Sequence, residues 1–128
     1  MKKEKRPKNQ KEIIAGSFGR KTVRIAIALY GDSLRKAGFG KTRISDDSDA
    51  RAYRNGLERE QDEVISRIEA CLGHPLYVRR RFTRNVNVIS ADVFVEEIDM
   101  IRSVRGVKSV SIEQLNHLHS MRPDLSME

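Results

Sequence analysis

A serine in a turn is the first candidate for chemistry in this chain of 128 residues. Gly31-Asp32-Ser33-Leu34 follows an apolar segment, which is where the nucleophile of some serine esterases lies. Such a serine needs a base, and those enzymes supply it through an aspartate with a histidine three residues later. None of the aspartates in the chain is followed by a histidine at that spacing. A turn in which Ser33 bonds to nearby backbone is therefore the simpler interpretation.

Two further patterns imitate ligand sites but lack an essential member. Gly38-Phe39-Gly40-Lys41-Thr42 is similar to the end of a phosphate-binding loop, but the glycine that such a loop needs is replaced by Arg35. His117 and His119 have a spacing that can bind metal on a strand, but no third ligand accompanies them. Cys71 is the one cysteine, and we expect it to be a small core or boundary residue. We therefore predict neither a metal nor a cofactor.

Four arginines form the only basic cluster outside the N-terminal region, namely Arg79, Arg80, Arg81 and Arg84. On an RNA-recognition sheet they would need stacking aromatic residues in the neighbouring central strands. The segment Val86–Val93, which is a predicted strand, contains no aromatic residue. We expect these arginines to face solvent and to pair with acids of the long helix or of a partner.

The net charge of +7 is confined to the N-terminal region. Residues 1–24 carry nine Lys or Arg and two Glu, whereas residues 25–128 carry sixteen basic and sixteen acidic residues. We therefore predict a basic, flexible tail over residues 1–21, because such a segment has little apolar surface to bury. The apolar run of a signal peptide does not follow the first basic residues. No apolar run approaches the roughly 20 residues that cross a bilayer, so we expect no membrane partner.

Hydrophobic periodicity predicts a strand followed by a loop and a long helix. Apolar residues alternate in Val23–Tyr30, which is typical of a strand with one buried face. Residues 31–45 contain three glycines and are predicted to form a loop. Acidic residues at positions 46, 47 and 49 favour a helix N-terminus, and Gly73 favours its end after Leu72. The apolar stripe of this helix consists of Tyr53, Leu57, Val64, Ile65, Ile68 and Leu72.

Three further strands and a short helix complete the pattern. The strands are predicted at Leu76–Phe82, Val86–Val93 and Val107–Ile112, and the buried side of the helix consists of Ile98, Ile101 and Val104. Strict alternation in the second strand puts Tyr77, Arg79 and Arg81 on one face.

The order of elements is β-α-β-β-α-β, which with right-handed crossovers predicts an α+β, ferredoxin-like domain over residues 22–114. It has a four-stranded antiparallel sheet with two helices on one face, and the other face is left uncovered. Many unrelated functions use this plan, so the fold alone decides none of them.

Four segments, taken in order, resemble one protein family. Thr22–Leu34, with the sequence TVRIAIALYGDSL, is similar to the first strand and turn of subtilisin propeptides. Ala52–Gln61 is similar to the Tyr-x-x-x-Leu-x-x-x-Gln start of their long helix. Tyr77–Ile89 resembles their strand pair, and Ile98–Val110 resembles their short helix followed by Pro-Gly-Val-x-x-Val. The family is the subtilisin-propeptide, or peptidase-inhibitor I-nine, domain, and the resemblance covers about residues 22–119.

The resemblance implies an inhibitor and folding assistant of a subtilisin-like serine protease, present in the same precursor or in trans, rather than an enzyme. The family's usual setting is extracellular or the cell envelope. In the family, the uncovered sheet face packs on two surface helices of the protease. The C-terminal extension then enters the protease cleft as an added strand. Val88 and Arg105 replace a glycine and a proline of the family, at positions that do not contact the protease.

The family's binding positions are assigned to residues of this sequence by counting from Gly106. The extension becomes residues 115–128, and the residues that would occupy the cleft are Leu115, Asn116, His117, Leu118 and His119. Glu113 matches an acid that caps the N-terminus of a protease helix, which carries about half a positive charge. Ser111 matches a neighbouring acid.

A second hypothesis belongs to a different class. The basic N-terminal arm and the arginine cluster could serve a regulatory or nucleic-acid-binding ferredoxin-like module, whose mark would be binding that weakens with salt. The neutral charge of residues 25–128 and the absence of stacking aromatics in the third strand argue against nucleic acid as the partner.

Overall fold

The computed structural model describes residues 21–115 as four β-strands, one long helix and one short helix. The predicted tail, apart from Lys21, and the predicted extension, apart from Leu115, lie outside the described residues. The chain is α+β with an open antiparallel sheet, as the sequence predicted. The elements are β1 (Thr22–Leu29), α1 (Ser48–Leu72), β2 (Tyr77–Phe82), β3 (Val88–Phe94), α2 (Ile98–Arg102) and β4 (Val107–Leu115).

The sheet has the strand order β2-β3-β1-β4, and all three pairings are antiparallel. Ile27 of β1 lies opposite Ile89 of β3 on one side and Val110 of β4 on the other. Because directly opposite residues of an antiparallel pair share a face, this row of apolar side chains lies on one face of three strands. We call it the inner face; its members are Val23, Ile25, Ile27, Leu29, Ile89, Ala91, Val93, Val107 and Val110.

The inner face and the two helices share one hydrophobic core. Val64 and Ile68 of α1 and Ile98 and Ile101 of α2 belong to the same buried cluster as the inner-face residues. Ile65, Leu72 and Val104 pack against it while partly exposed. The predicted apolar stripes of both helices are thereby confirmed, except that Tyr53 and Leu57 lie outside this cluster. Leu57 is nevertheless buried, and the Tyr53 hydroxyl donates to the Asp32 carbonyl.

The ends of α1 are set by its capping residues. The Asp47 side chain accepts hydrogen bonds from the backbone N–H groups of Asp49 at 2.9 Å and Ala50 at 3.1 Å. These bonds satisfy donors that have no partner within the helix. Gly73 at the other end has φ of 82°, a left-handed conformation that glycine adopts without a Cβ clash. Both ends agree with the sequence prediction.

The predicted loop over residues 31–45 is wrong in part, because it contains a π-helical turn at Arg35–Phe39 and a 3₁₀ turn at Ile44–Asp46. The segment is tied to the β2–β3 connection. The backbone N–H of Leu34 donates to the Thr83 carbonyl at 2.9 Å, and that of Arg35 donates to the Arg84 carbonyl at 2.8 Å. These long-range bonds, which local sequence does not encode, organise the segment.

A bulge in β2 overturns the predicted alternation of that strand. Tyr77 lies opposite Asp92, but the register shifts between Val78 and Arg80, so that Arg81 lies opposite inner-face Ile89. A bulge adds one residue to a strand and reverses the facing of all residues beyond it. Tyr77 and Arg81 therefore lie on opposite faces, not on the same face.

Two smaller predictions also need correction. β4 continues to Leu115 rather than ending at Ile112, with a second bulge where Arg24 pairs with Gln114 and Ile25 with Ile112. Cys71 is exposed and is not a core residue.

Candidate functional site

The face opposite the core, which we call the outer face, carries small and charged side chains. These residues alternate with the inner-face residues along each strand, and none of them belongs to the buried apolar cluster. Ala26 lies opposite Ser90 on one side and Ser111 on the other, so the middle of the face is lined by small side chains. The members of the outer face are Thr22, Arg24, Ala26, Ala28, Tyr77, Arg80, Phe82, Val88, Ser90, Asp92, Phe94, Ser109 and Ser111.

One end of the outer face is organised by the Asp92 carboxylate. Arg24 Nε donates to Asp92 Oδ1 at 3.0 Å and Arg24 Nη2 donates to Asp92 Oδ2 at 3.5 Å, which is a two-pronged contact. This hydrogen bond raises the pKa of Arg24, and the nearby negative charges of Asp92 and Glu113 act in the same direction. Arg79 Nη1 lies 3.7 Å from Asp92 Oδ2. Two guanidinium groups therefore share one carboxylate.

Glu113 comes from β4 onto the same face. The Ser90 hydroxyl donates to Glu113 Oε1 at 2.8 Å, and Ser90 is only 4% exposed. A depression of about 530 Å³ is lined by Arg24, Arg79, Arg80, Phe82, Ser90 and Glu113. A carboxylate accepts hydrogen bonds through both oxygens, so a Glu113 oriented by Ser90 is suited to accept from a docked donor.

The predicted binding positions fall into two groups. Ser111 and Glu113 are exposed residues of β4, on or beside the outer face. Leu115 is the last residue of β4, where it pairs with Val23. The remaining predicted cleft residues, Asn116, His117, Leu118 and His119, lie outside the described residues.

The arginine cluster divides among several partners. Arg81 pairs with Asp62 of α1 at 2.9 Å, as predicted for acids of the long helix. Arg79 instead pairs with Asp92 of β3, and the Arg84 guanidinium donates to the Gly40 and Thr42 carbonyls at 3.1 and 3.2 Å. The expectation that all four pair with helix or partner acids is therefore wrong for Arg79 and Arg84.

The segment Gly38–Thr42, whose sequence is similar to the end of a phosphate-binding loop, directs two carbonyl oxygens at the Arg84 guanidinium. A phosphate site needs backbone N–H groups aimed at the anion, so oxygens at Gly40 and Thr42 suit a cation instead.

Ser33 has the local structural role that was expected of it. It is 6% exposed, and its Oγ accepts a hydrogen bond from the backbone N–H of Lys36 at 3.2 Å. His74 is the one histidine within residues 21–115, and its ring nitrogens lie 2.8 Å from the Pro75 carbonyl and 2.6 Å from Glu97 Oε2. Its bonding is therefore directed to the start of β2 and to the turn before α2, and not to Ser33.

A buried polar network on the inner side of the sheet, where β1 ends, was not predicted. Gln61 of α1 is fully buried, and its Nε2 donates to the Phe82 carbonyl at 2.9 Å and to Asn87 Oδ1 at 3.0 Å. Gln61 Oε1 accepts from Arg81 Nε at 2.8 Å. The Asn87 amide donates in turn to Glu60 Oε1 and to the Gly31 carbonyl, both at 2.9 Å.

This network joins α1 to the end of β1 and to the β2–β3 connection. The signal for it was present in the sequence, since Gln61 falls at helical spacing between Leu57 and Val64 in the apolar stripe.

No protein-family model, curated protein or solved structure matches this chain. Within residues 21–115, no group of three or more His, Cys, Asp or Glu side chains is placed to hold a metal ion. None of the helices in that range is long and apolar enough to cross a membrane.

Proposed function

We propose that this protein is a subtilase-prodomain-like inhibitor and folding assistant with a ferredoxin-like arrangement, in which both helices cover the inner face. Support for the arrangement comes from the strand order β2-β3-β1-β4 and from the shared core of α1, α2 and the inner face. The partner is a subtilisin-like serine protease. The protein binds it through the outer face and the C-terminal extension and is not itself an enzyme.

The observation that carries this proposal is the outer face itself. Small side chains at its centre, such as Ala26 and Ser90, permit the backbone of a docked helix to approach the sheet closely. Charged groups lie at the two edge strands, through Arg80 and Glu113, and at one end of the central strands, through the Arg24–Asp92 ion pair. This arrangement of a smooth centre with a polar border is what a protein interface requires.

Glu113 supplies the polar anchor at the β4 edge. A helix N-terminus presents unpaired N–H groups and a partial positive charge, which a carboxylate stabilises. Ser90 holds one oxygen of Glu113, so the side chain loses less freedom on docking than an unrestrained glutamate would. Ser111 lies two residues before Glu113 on the same strand, and its hydroxyl can accept a hydrogen bond from a further N–H group.

β4 also directs the extension toward the cleft. The strand is paired with β1 as far as Leu115, which keeps the chain extended at that point. The segment of Leu115 to His119 then adds to the protease as an extra strand, with main-chain hydrogen bonds providing affinity.

The folding role follows from the same contacts. A domain that binds only the folded protease stabilises it by mass action. It also accelerates folding if the interface with the protease helices forms in the transition state.

The test is titration of a panel of purified subtilisin-type proteases with the full chain, followed by hydrolysis of a chromogenic peptide. We expect competitive inhibition of at least one member, and no effect on a trypsin-type protease used as a control. Absence of inhibition of every subtilase at high micromolar excess would refute the proposal.

Truncation after Leu115 separates the two parts of the interface. It leaves all of β4 in place, so we expect an unchanged circular dichroism spectrum together with loss of inhibition. Undiminished potency of the truncated chain would contradict the role of residues 116–119 in the cleft.

A further inference from the structure

The β2 edge of the outer face carries a guanidinium group whose charge is not balanced by a neighbouring acid. Arg24 and Arg79 share the Asp92 carboxylate. Arg80 is exposed, and its guanidinium carbon lies 5.2 Å from the centroid of the Phe82 ring. Among residues 21–115, Arg80 forms no ion pair with a carboxylate.

The depression that these residues line has more positive than negative groups. It contains three guanidinium groups but only the Glu113 carboxylate, with Asp92 beside it. Covering the depression with a partner removes Arg80 from water, and burying an unpaired charge is costly. A partner that binds here must therefore bring an acceptor for that guanidinium.

A carboxylate is the acceptor that suits Arg80 best. Arginine presents a planar fork of donors that matches two carboxylate oxygens, and a bond between two charged groups is stronger than one to a neutral carbonyl. The guanidinium lies over the Phe82 ring, and this cation–π contact restrains the position of the fork.

We infer that the protein docked on the outer face presents an Asp or Glu side chain to Arg80. This inference rests on the proposed function, and it specifies the chemistry of the protease surface at the β2 edge. Together with Glu113 at the β4 edge it fixes the direction of docking: an acid of the partner faces β2, and an N–H donor of the partner faces β4.

A phosphate of a nucleic acid is the other anion that could meet Arg80, and the same face disfavours it. Asp92 and Glu113 lie on or beside that face and offset part of its positive charge, which weakens its attraction for a polyanion. Of the aromatic residues on the outer face, Tyr77 and Phe82 lie on the edge strand β2, and Phe94 at the end of β3 is the only one on the central strands within residues 21–115. The central strands therefore lack the row of rings on which successive bases would stack.

The experiment compares two charge reversals, Arg80→Glu and Arg59→Glu, against a subtilase that the full chain inhibits. Arg59 is an exposed residue of α1, and its variant changes the net charge by the same amount away from the outer face. At low salt we expect Arg80→Glu to weaken inhibition about tenfold or more, and Arg59→Glu to leave it within about twofold. In about 1 M NaCl, where charges are screened within roughly 3 Å, the deficit of Arg80→Glu should shrink.

Equal inhibition constants for the two variants would overturn the inference, as would a deficit of Arg80→Glu that salt does not reduce. Binding of a single-stranded oligonucleotide that Arg80→Glu abolishes and Arg59→Glu retains would also overturn it, in favour of a nucleic acid.

A second arm tests the inference if no subtilase is inhibited, in which case the proposed function fails first. Two synthetic amphipathic helices, identical except for a row of Glu or a row of Gln, are titrated into the ¹⁵N-labelled chain. We expect amide shifts in β2 and β3 with the Glu peptide alone, and their loss in Arg80→Glu. Equal shifts with both peptides would overturn the inference.

Discussion

The two faces of the sheet are made by the same strands and have opposite chemistry. Along β1, Val23, Ile25 and Ile27 are completely buried on the inner face, whereas Arg24 and its neighbours on the outer face remain partly exposed. Burial of the inner face supplies the hydrophobic free energy of folding. Because the outer face contributes little to that energy, its side chains are free to be charged or small. Neighbouring residues of one strand therefore contribute to the core or to the small and charged outer face in turn.

The inner side is not entirely apolar. At the end of the sheet where β1 stops, the buried amides of Gln61 and Asn87 replace aliphatic packing with hydrogen bonds. Each buried polar group there has a partner, which is the condition under which such a network stabilises a fold. The packing of α1 on this end of the sheet is therefore stabilised by hydrogen bonds, whereas the rest of the core is stabilised by contacts between apolar side chains.

The largest difference in the free energy of unfolding should come from substitutions of two neighbouring residues of β3 that lie on opposite faces. Ile89→Ala removes a fully buried side chain, and we expect it to lower the free energy of unfolding by about 3–4 kcal/mol. Val88→Ala on the outer face should cost less than about 1 kcal/mol. Urea denaturation of both variants measures the difference, and equal losses would break the distinction between the faces.

A second pair of variants compares a buried side chain, Gln61, with an exposed one, Asp62, both of which contact Arg81. Gln61→Ala leaves Asn87 Oδ1 and the Phe82 carbonyl without their donor, so we expect a loss of about 2–3 kcal/mol. Asp62→Ala removes the ion pair to Arg81 from a side chain that is 65% exposed, which should cost less than about 1 kcal/mol. Thermal and urea unfolding report both values. If Asp62→Ala lowered the free energy of unfolding more than Gln61→Ala, the hydrogen bonds of Gln61 would not be the main stabilising contacts at this end of the sheet.

On the outer face the effect should appear in binding and not in stability. Glu113→Gln keeps an acceptor but removes the charge that a helix N-terminus attracts, so we expect inhibition of a sensitive subtilase to weaken about tenfold. The unfolding midpoint should stay unchanged. Ser111→Ala is the matched change on the same strand and should have the smaller effect. A lower midpoint for Glu113→Gln with unaltered inhibition would assign it a structural role.

The smallest change in the free energy of unfolding is expected in α1, at a residue that belongs to neither face of the sheet. Gly56 lies in the middle of the helix, and a Cβ added there would approach nothing closer than Arg59 Nη2 at 3.9 Å. Gly56→Ala should therefore raise the free energy of unfolding by about 0.8 kcal/mol. Gly106→Ala is the contrasting control, because its φ is 100° and its Cβ would lie 2.7 Å from Val64 Cγ2. Destabilisation by Gly56→Ala would show an unrecognised packing role.

Much of the fold could be predicted from local patterns. Alternation in β1 identified the four buried residues of its inner face, and acidic residues before position 50 together with Gly73 identified both ends of α1. The segment over residues 31–45 could not be predicted, because its turns depend on bonds to Thr83 and Arg84, about fifty residues away. Ser111 and Glu113 lie on or beside the outer face, but their role as caps of a protease helix stays a prediction. The contact of Glu113 with Ser90 could not be predicted, because it joins strands that are not neighbours in the sheet.

The amino-acid sequence by itself determined which residues alternate, where α1 begins and ends, and that one face of the sheet is apolar. These are consequences of backbone periods of two and 3.6 residues and of local capping, so they require no distant partner. The tertiary structure alone decided that a bulge turns Arg80 outward and Arg81 inward, and that Gln61 meets Asn87. Register and side-chain pairing across more than twenty residues depend on how the sheet and α1 pack, and packing is a property of the whole folded chain.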